Sequence, residues 1–469
     1  MKMDFCLFLR KNAYFCAVGT FEDFILAHEG DDPVRLLLSR GRFPDVDMDL
    51  AVSTIESRRK LRTKVPEWYA VPSLIYPKVL SAEQCSSSET ARYKASLAAR
   101  LWEGVPSGTH GHPRPCKREG PFGRGREATV QEGTPSHDER EGAGGLGIAD
   151  LTGGLGVDSW AFSEVFSKVL YNEMDPALAN AAEHNFKSLG INNIEVRCCC
   201  LSPGGGEGIP VGKILGGFRP DILFLDPARR ASDGRKVFLI EDCRPDVLHL
   251  LPDLFAECRF ILLKLSPMAD ISMVAERLSH VREVHVVSSG GECKELLLLL
   301  DREWEGGYTL IAAESGASLR FSPSEEKAAS PLFPDTPESL SGYRFLYEPG
   351  KSLLKAGAFR LLSGRFGMVK AGEHTHLYLC QEVPSELKSL GKIFSIREVR
   401  LFGNRSFKET GRDYPRAEVT ARNVPVTSEA LRKKLGCSSG GDIHIFGLHF
   451  DFQSAPSENK LLISKVIST

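Results

Sequence analysis

The stretch Asp150-Leu151-Thr152-Gly153-Gly154-Leu155-Gly156-Val157-Asp158 decides the fold. It joins a short apolar run, Gly147 to Leu151, to an apolar-rich stretch from Val157 to Phe166. That order predicts a strand, a tight turn and a helix. Glycines in such a turn permit positive φ and let a ligand lie against bare backbone. In open α/β sheets, ligands bind at the carboxyl ends of strands, near the point where the strand order reverses.

Downstream, the same alternation continues. Strands are expected at Val169–Asn172, Ile194–Cys198, Asp221–Leu225, Phe260–Leu265, Glu283–Val287 and Lys294–Leu300, with a helix from Pro176 to Leu189. Apolar strands alternating with helices predict a parallel sheet covered on both faces. Upstream, residues 1–103 read as helical. Leu36 to Leu38, Leu50, Val52, Ile55 and Leu61 form an imperfect apolar stripe, Pro66 and Pro72 interrupt it, and Ser81 to Leu101 offers a long helix or a helix pair. Residues 104–145 contain 10 Gly and 5 Pro and almost no large apolar side chain. Such a segment cannot offset its chain entropy by burial, and is expected to be a disordered insertion.

The turn could serve either of two nucleoside ligands. A dinucleotide prefers G-x-G-x-x-G, but Gly154 and Gly156 are followed by Val157, Asp158 and Ser159, so the last glycine is missing. The strand also ends in an acid, Asp150, which would repel a pyrophosphate and attract an ammonium group. S-adenosylmethionine carries an amino group and a sulfonium and no phosphate, so the acid favours it. Glu173 closes the second strand 23 residues later, where a carboxylate can accept both ribose hydroxyls. That geometry serves either cofactor.

These residues resemble motifs I and II of class I S-adenosylmethionine-dependent methyltransferases. Thr152 departs from the pattern, where glycine is commoner. Cys200 departs too, since the family usually places an acid near it to hold adenine. The triplet Cys198-Cys199-Cys200 reads as buried packing. The fourth strand ends Asp226-Pro227-Ala228-Arg229-Arg230. The resemblance implies that Asp226, Pro227 and Arg229 present the methyl acceptor. Asp226 and Pro227 fit the pattern of base amino methyltransferases, while Ala228 and Arg229 depart from it. A similar loop occurs in C5 methylation of uridine, but that needs a thiol after the fifth strand, and Leu263 to Pro267 has none. Cys293, at a later turn, reads as structural.

A wider set of motifs matches one group more closely. It includes Glu83-Gln84-Cys85-Ser86-Ser87, Thr90-Ala91-Arg92-Tyr93-Lys94, KLSP at 264–267, GECKE at 291–295, Tyr347-Glu348-Pro349, Lys355-Ala356-Gly357 and Gly440-Gly441-Asp442. The chain is similar to bacterial methyltransferases with a ferredoxin-like module and a C-terminal THUMP-like domain. The expected architecture is therefore a Rossmann-like class I methyltransferase sheet (146–301) with an N-terminal helical region (1–103) and C-terminal α+β modules, ferredoxin-like over 302–365 and THUMP-like over 366–469. The resemblance implies methyl transfer to RNA, most simply to a base in tRNA or rRNA. Its cofactor residues are Asp150, Thr152, Gly153, Gly154, Gly156, Asp158 and Glu173. Acceptor contacts fall to Arg229, Arg230, Thr90 and Lys94.

Charge and composition bound the alternatives. There are 59 Lys plus Arg against 61 Asp plus Glu, so any nucleic-acid surface must be local. Residues 391–434 hold 11 basic and 5 acidic side chains, with Phe394, Phe402, Phe407 and Tyr414 interleaved, which suits phosphate contact and base stacking. No apolar run reaches the roughly 18 residues of a membrane span. The N-terminus lacks a signal-peptide pattern, and the 12 cysteines include no CxxC pair. The expectation is a cytoplasmic protein with no metal and no membrane partner. Methylation of a protein or small molecule stays open, as does an RNA-binding protein with a degenerate cofactor site. A nicotinamide dehydrogenase ranks last.

Overall fold

The computed structural model describes residues 18–103, 145–202, 208–228, 240 and 243–468. The expected insertion falls outside them, apart from its last residue. The chain forms two compact units, residues 1–225 with 256–258 and residues 226–255 with 259–469.

The first unit begins with helices Val18–His28, Pro33–Leu38, Met48–Lys64, Pro66–Tyr69, Val79–Gln84 and Ser88–Glu103. Asp32 and Asp47 cap two of them, accepting from the backbone of Arg35 and Leu50. Pro66 starts a helix at its first position, where its missing N–H costs nothing. Ser81 to Leu101 is a helix pair. Four strands follow: β1 (Gly147–Asp150), β2 (Lys168–Asn172), β3 (Ile194–Arg197) and β4 (Ile222–Leu225). All their pairings are parallel, in the order β3-β2-β1-β4. Every residue of β1 and β4 is buried. The order runs outward from β1 to β3 and then reverses to β4, so the glycine turn after β1 sits at the switch point.

The second unit carries β5 (Phe260–Leu265), β6 (Val281–Ser289), β7 (Glu292–Asp301), β8 (Thr309–Glu314) and β9 (Ala317–Phe321), in the order β5-β7-β6-β8-β9. The expected all-parallel sheet is corrected here. β7 runs antiparallel to both β5 and β6. Gly290 and Gly291 both take positive φ, which suits the tight turn of a two-residue hairpin. β8 pairs with β6, so the expected boundary at 301/302 cuts through a sheet.

A second sheet contains β10 (Phe345–Pro349), β11 (Val369–Gly372), β12 (Thr375–Cys380), β13 (Gly391–Leu401), β14 (Glu418–Arg422), β15 (Ile443–Phe450) and β16 (Glu458–Ser468), ordered β11-β12-β10-β13-β16-β15-β14. β10 pairs with β12 on one side and β13 on the other, so this sheet runs across the expected 365/366 boundary. Alternate residues feed two cores. Phe446, Leu448 and Leu462 join one, while Ile445, Leu461 and Ile463 join the other with Phe407, Leu431 and Leu435. Phe359 and Arg360 lead into the helix Leu361–Phe366. The Glu326 carboxylate accepts from the N–H groups of Phe359, Arg360 and Leu361 at 3.1, 2.8 and 2.8 Å. This cap comes from more than 30 residues away, so the local pattern could not reveal it.

Candidate active site

The glycine turn is held by β2 and the residue after it. Gly153 N–H donates to Asn172 O at 2.7 Å, and Gly154 N–H to Glu173 Oε2 at 2.8 Å. The Tyr171 hydroxyl donates to Gly154 O at 2.6 Å. Tyr171 is fully buried, and burial, with Glu173 and Asp150 nearby, pushes its hydroxyl pKa well above the ordinary value. The glycines have separate reasons. A Cβ on Gly153 would lie 2.1 Å from the Tyr171 ring, and one on Gly156 (φ 91°) 2.7 Å from Phe186. Gly154 (φ 55°) meets no heavy atom closer than Thr152 O at 4.0 Å. Its face is bare backbone on which a ligand can lie.

The acids divide their work differently from the expectation. Asp150 is 1% exposed, with its two oxygens accepting from Thr152 N at 3.1 Å and Ser159 Oγ at 2.7 Å. It braces the turn from beneath, and a direct meeting with a cofactor ammonium is corrected accordingly. Glu173 is half-buried and spans the turn, accepting from Gly154 N and from Asp175 N at 2.9 Å. Each of its oxygens has a second lone pair with which to meet a ribose hydroxyl. Asp175 caps the helix Pro176–Ser188 and is ion-paired with Lys78.

Lys94 and Thr90 do not face an acceptor. Lys94 is 0% exposed, and its ammonium reaches Ser86 Oγ at 3.0 Å and Asp158 Oδ1 at 3.2 Å. Ser86 in turn donates to Asp158 Oδ2 at 2.9 Å. Thr90 is 3% exposed and exchanges hydrogen bonds with Ser87 at the start of its helix. Both substrate-binding assignments are corrected, because a buried side chain cannot touch a macromolecule. Cys198 and Cys200 are exposed and Cys199 half-buried, so the triplet is not core packing. It lies past β3, the outermost strand, where few side chains remain to cover it.

In the second unit, Asp226 follows Leu225 directly. Lys264 Nζ donates to Asp226 Oδ2 at 2.6 Å and lies 3.9 Å from Glu295 Oε2. Lys264 and Glu295 are buried, and Asp226 is partly exposed. Pro227 is buried, and Ala228 exchanges backbone hydrogen bonds with Arg244. Arg229 and Arg230 lie outside the described residues. The sequence motifs include Lys264 and Ser86 without giving either a role, and nothing in the local pattern singles out Tyr171. The one available signal was a lysine inside the otherwise apolar strand FILLKL.

The aromatics of the basic stretch are also elsewhere than expected. Phe394 and Phe407 are 2% and 3% exposed, and Phe402 and Tyr414 pack against the same cores. Phe394 and Phe407 fill the interior, while Phe402 and Tyr414, half-buried, each pack one side against it. Among the described residues, no helix is long and apolar enough to cross a membrane.

Known proteins share this architecture. A ferredoxin-like domain family matches residues 345–387, and a THUMP domain-like family matches 391–455. Proteins from two strains of Mycobacterium tuberculosis, described as uncharacterised S-adenosylmethionine-dependent methyltransferases, are 25% identical over 304 residues, covering 64% of this chain and 76% of theirs. A crystal structure described as a candidate methyltransferase from Porphyromonas gingivalis W83 aligns with a TM-score of 0.74 and 26% identity, over 96% of this chain and 98% of that one. The fold and its glycine turn are those of a class I S-adenosylmethionine-dependent methyltransferase. Within its second unit, the chain matches a ferredoxin-like domain family and a THUMP domain-like family. The Mycobacterium tuberculosis relatives are named for their dependence on S-adenosylmethionine. The open face of Gly154 and the Glu173 carboxylate suit a nucleoside without phosphates.

Proposed function

We propose that this methyltransferase acts on a base in RNA, tRNA or rRNA being the simplest substrates. The observation that carries the reading is the THUMP-like match over 391–455 together with the cations in that region. Of the eleven basic side chains, Arg400, Arg405, Arg412, Arg422 and Lys433 are ion-paired with acids. Lys392, Arg397, Lys408, Arg416 and Lys434 are exposed and have no acid within ion-pair distance among the described residues. Such cations suit phosphate contact. With Phe394 and Phe407 buried and Phe402 and Tyr414 half-buried, binding would rest on the backbone phosphates.

In this reading Glu173 holds the ribose of the cofactor, and the bare face of Gly154 accepts its remainder. When bound, S-adenosylmethionine supplies an electrophilic methyl group. Asp226 accepts a hydrogen bond from the exocyclic amine of the acceptor and so orients the lone pair that attacks. Lys264 fixes one oxygen of that carboxylate, and Arg229 contacts the base or a phosphate. Transfer is an in-line displacement, so the rate comes from alignment. Methylation of a protein or small molecule is the second reading, favoured by the five neutralised cations. Tritiated methyl transfer to total RNA from a strain lacking the gene decides between them. One labelled nucleoside supports the proposal, and unlabelled RNA beside a labelled protein overturns it.

A further inference from the structure

Burying an ion pair is costly. The desolvation of two charges is repaid only by close geometry, and apolar replacements of similar size are often no less stable. Lys94, fully buried, and Asp158, with an 11% exposed side chain, form such a pair, bridged by Ser86. Its location gives a reason for its presence. Asp158 lies two residues beyond Gly156, in the first turn of the helix that leaves the glycine turn. Ser86 and Lys94 come from the N-terminal helical region, 72 and 64 residues earlier. The same two helices are joined by Arg92, which pairs with Glu164 at 3.1 Å and lies over the Trp160 ring at 4.8 Å.

The direction of the cofactor follows from the strand order β3-β2-β1-β4. Glu173, at the end of β2, takes the ribose. The part of the cofactor beyond the ribose would then lie over the turn after β1, which runs directly into the helix that carries Asp158. We propose that Lys94, Ser86 and Asp158 are positioning residues for the methionine end of S-adenosylmethionine. They lock the turn from Leu155 to Asp158, so that the sulfonium methyl is held still while the adenosine end is anchored independently by Glu173. The inference rests on the cofactor site and is independent of the acceptor.

The test compares two ligands on the full chain. 5′-Methylthioadenosine keeps the nucleoside and lacks the amino-acid end. In the double variant Lys94→Met/Asp158→Leu, both charges go together, so no charge is left buried alone. We expect S-adenosylmethionine to bind at least about tenfold more weakly by calorimetry, ~1.4 kcal/mol, with 5′-methylthioadenosine within about twofold of wild type. Unchanged binding of both, or equal weakening of both, overturns the proposal. If the double variant does not fold, Ser86→Ala serves in its place. It keeps the ion pair and removes the bridging hydroxyl, and the same selective loss, about threefold, is expected. Parallel loss or no loss again overturns it.

Discussion

Replacing Gly153 by alanine isolates one cause in the cofactor site. Gly153 does not take a positive φ, so its backbone tolerates a side chain. The obstacle is Tyr171, whose Cε2, Cδ2 and Cζ would lie 2.1, 2.3 and 2.6 Å from the new Cβ. Carbon atoms settle at about 3.5 Å or more, so the ring must retreat by roughly 1.4 Å. It has little room. The ring is fully buried, meets Phe186 edge-on at 5.6 Å, and ties its hydroxyl to Gly154 O at 2.6 Å. Overpacking costs about 1–3 kcal/mol, and stranding the part-buried Gly154 carbonyl adds up to about 1–3 kcal/mol more. We therefore expect Gly153→Ala to lose about 2–6 kcal/mol of stability in urea unfolding followed by tryptophan fluorescence. Cofactor affinity should fall at least about tenfold by calorimetry. Adding Tyr171→Leu removes the clash, so the pair should be less harmful than the sum of the singles by about 1 kcal/mol or more. Gly154→Ala behaves differently. Its φ of 55° costs about 1–2 kcal/mol, no neighbour is struck, and the methyl occupies the open face, so binding falls more than stability. A Gly153→Ala protein within about 0.5 kcal/mol of wild type, with unchanged affinity, would refute the close-approach argument.

Asp226→Ala should cut methyl transfer by about a hundredfold or more while cofactor affinity stays within about twofold. A parallel loss of affinity would move Asp226 out of the acceptor role. Reversing Lys392, Arg397, Lys408 and Arg416 to Glu should weaken RNA binding and flatten its salt dependence, by about 0.7 in log–log slope for each phosphate no longer neutralised. An unchanged slope would place RNA elsewhere. Burial holds the imidazoles of His376 and His444 down to about 4, with Lys370 adding to the effect at His376. Keeping them neutral adds stability that is complete above an unfolded-state pKa of about 6.5 and is lost as pH falls towards about 4. The melting temperature should drop between about pH 7.5 and pH 5, and His444→Phe, which keeps the stack on Phe446, should narrow that gap. An unaltered gap would assign the acid sensitivity to other groups.

The turn proposed to hold the cofactor was legible in the sequence because its parts are local. A strand end, a glycine turn and an acid after the next strand lie within 24 consecutive residues, and chain geometry alone brings them together. The hairpin at Gly290-Gly291 is local too, but the expected parallel sheet passed over its two adjacent glycines. Less legible were the residues supporting the site. Asp150 reads as a ligand for an ammonium group, yet Ser159 and the Thr152 amide turn it inward. The aromatics at 394, 402, 407 and 414 read as a stacking surface because their spacing does not say which of two faces is wet. The sheet in that region has a core on each side.

From its sequence alone, this protein is determined to have a class I sheet, a glycine turn at the end of its first strand and a helical N-terminal region, because each follows from periodicity and turn chemistry over a few residues. Only the tertiary structure joins the ferredoxin-like and THUMP-like segments into one seven-stranded sheet, buries Lys94 against Asp158 and sets Lys264 on Asp226. The two ion pairs link residues 64 and 38 apart, and the sheet unites strands across module boundaries. Their energy depends on burial and on partners at long range, which no local pattern records.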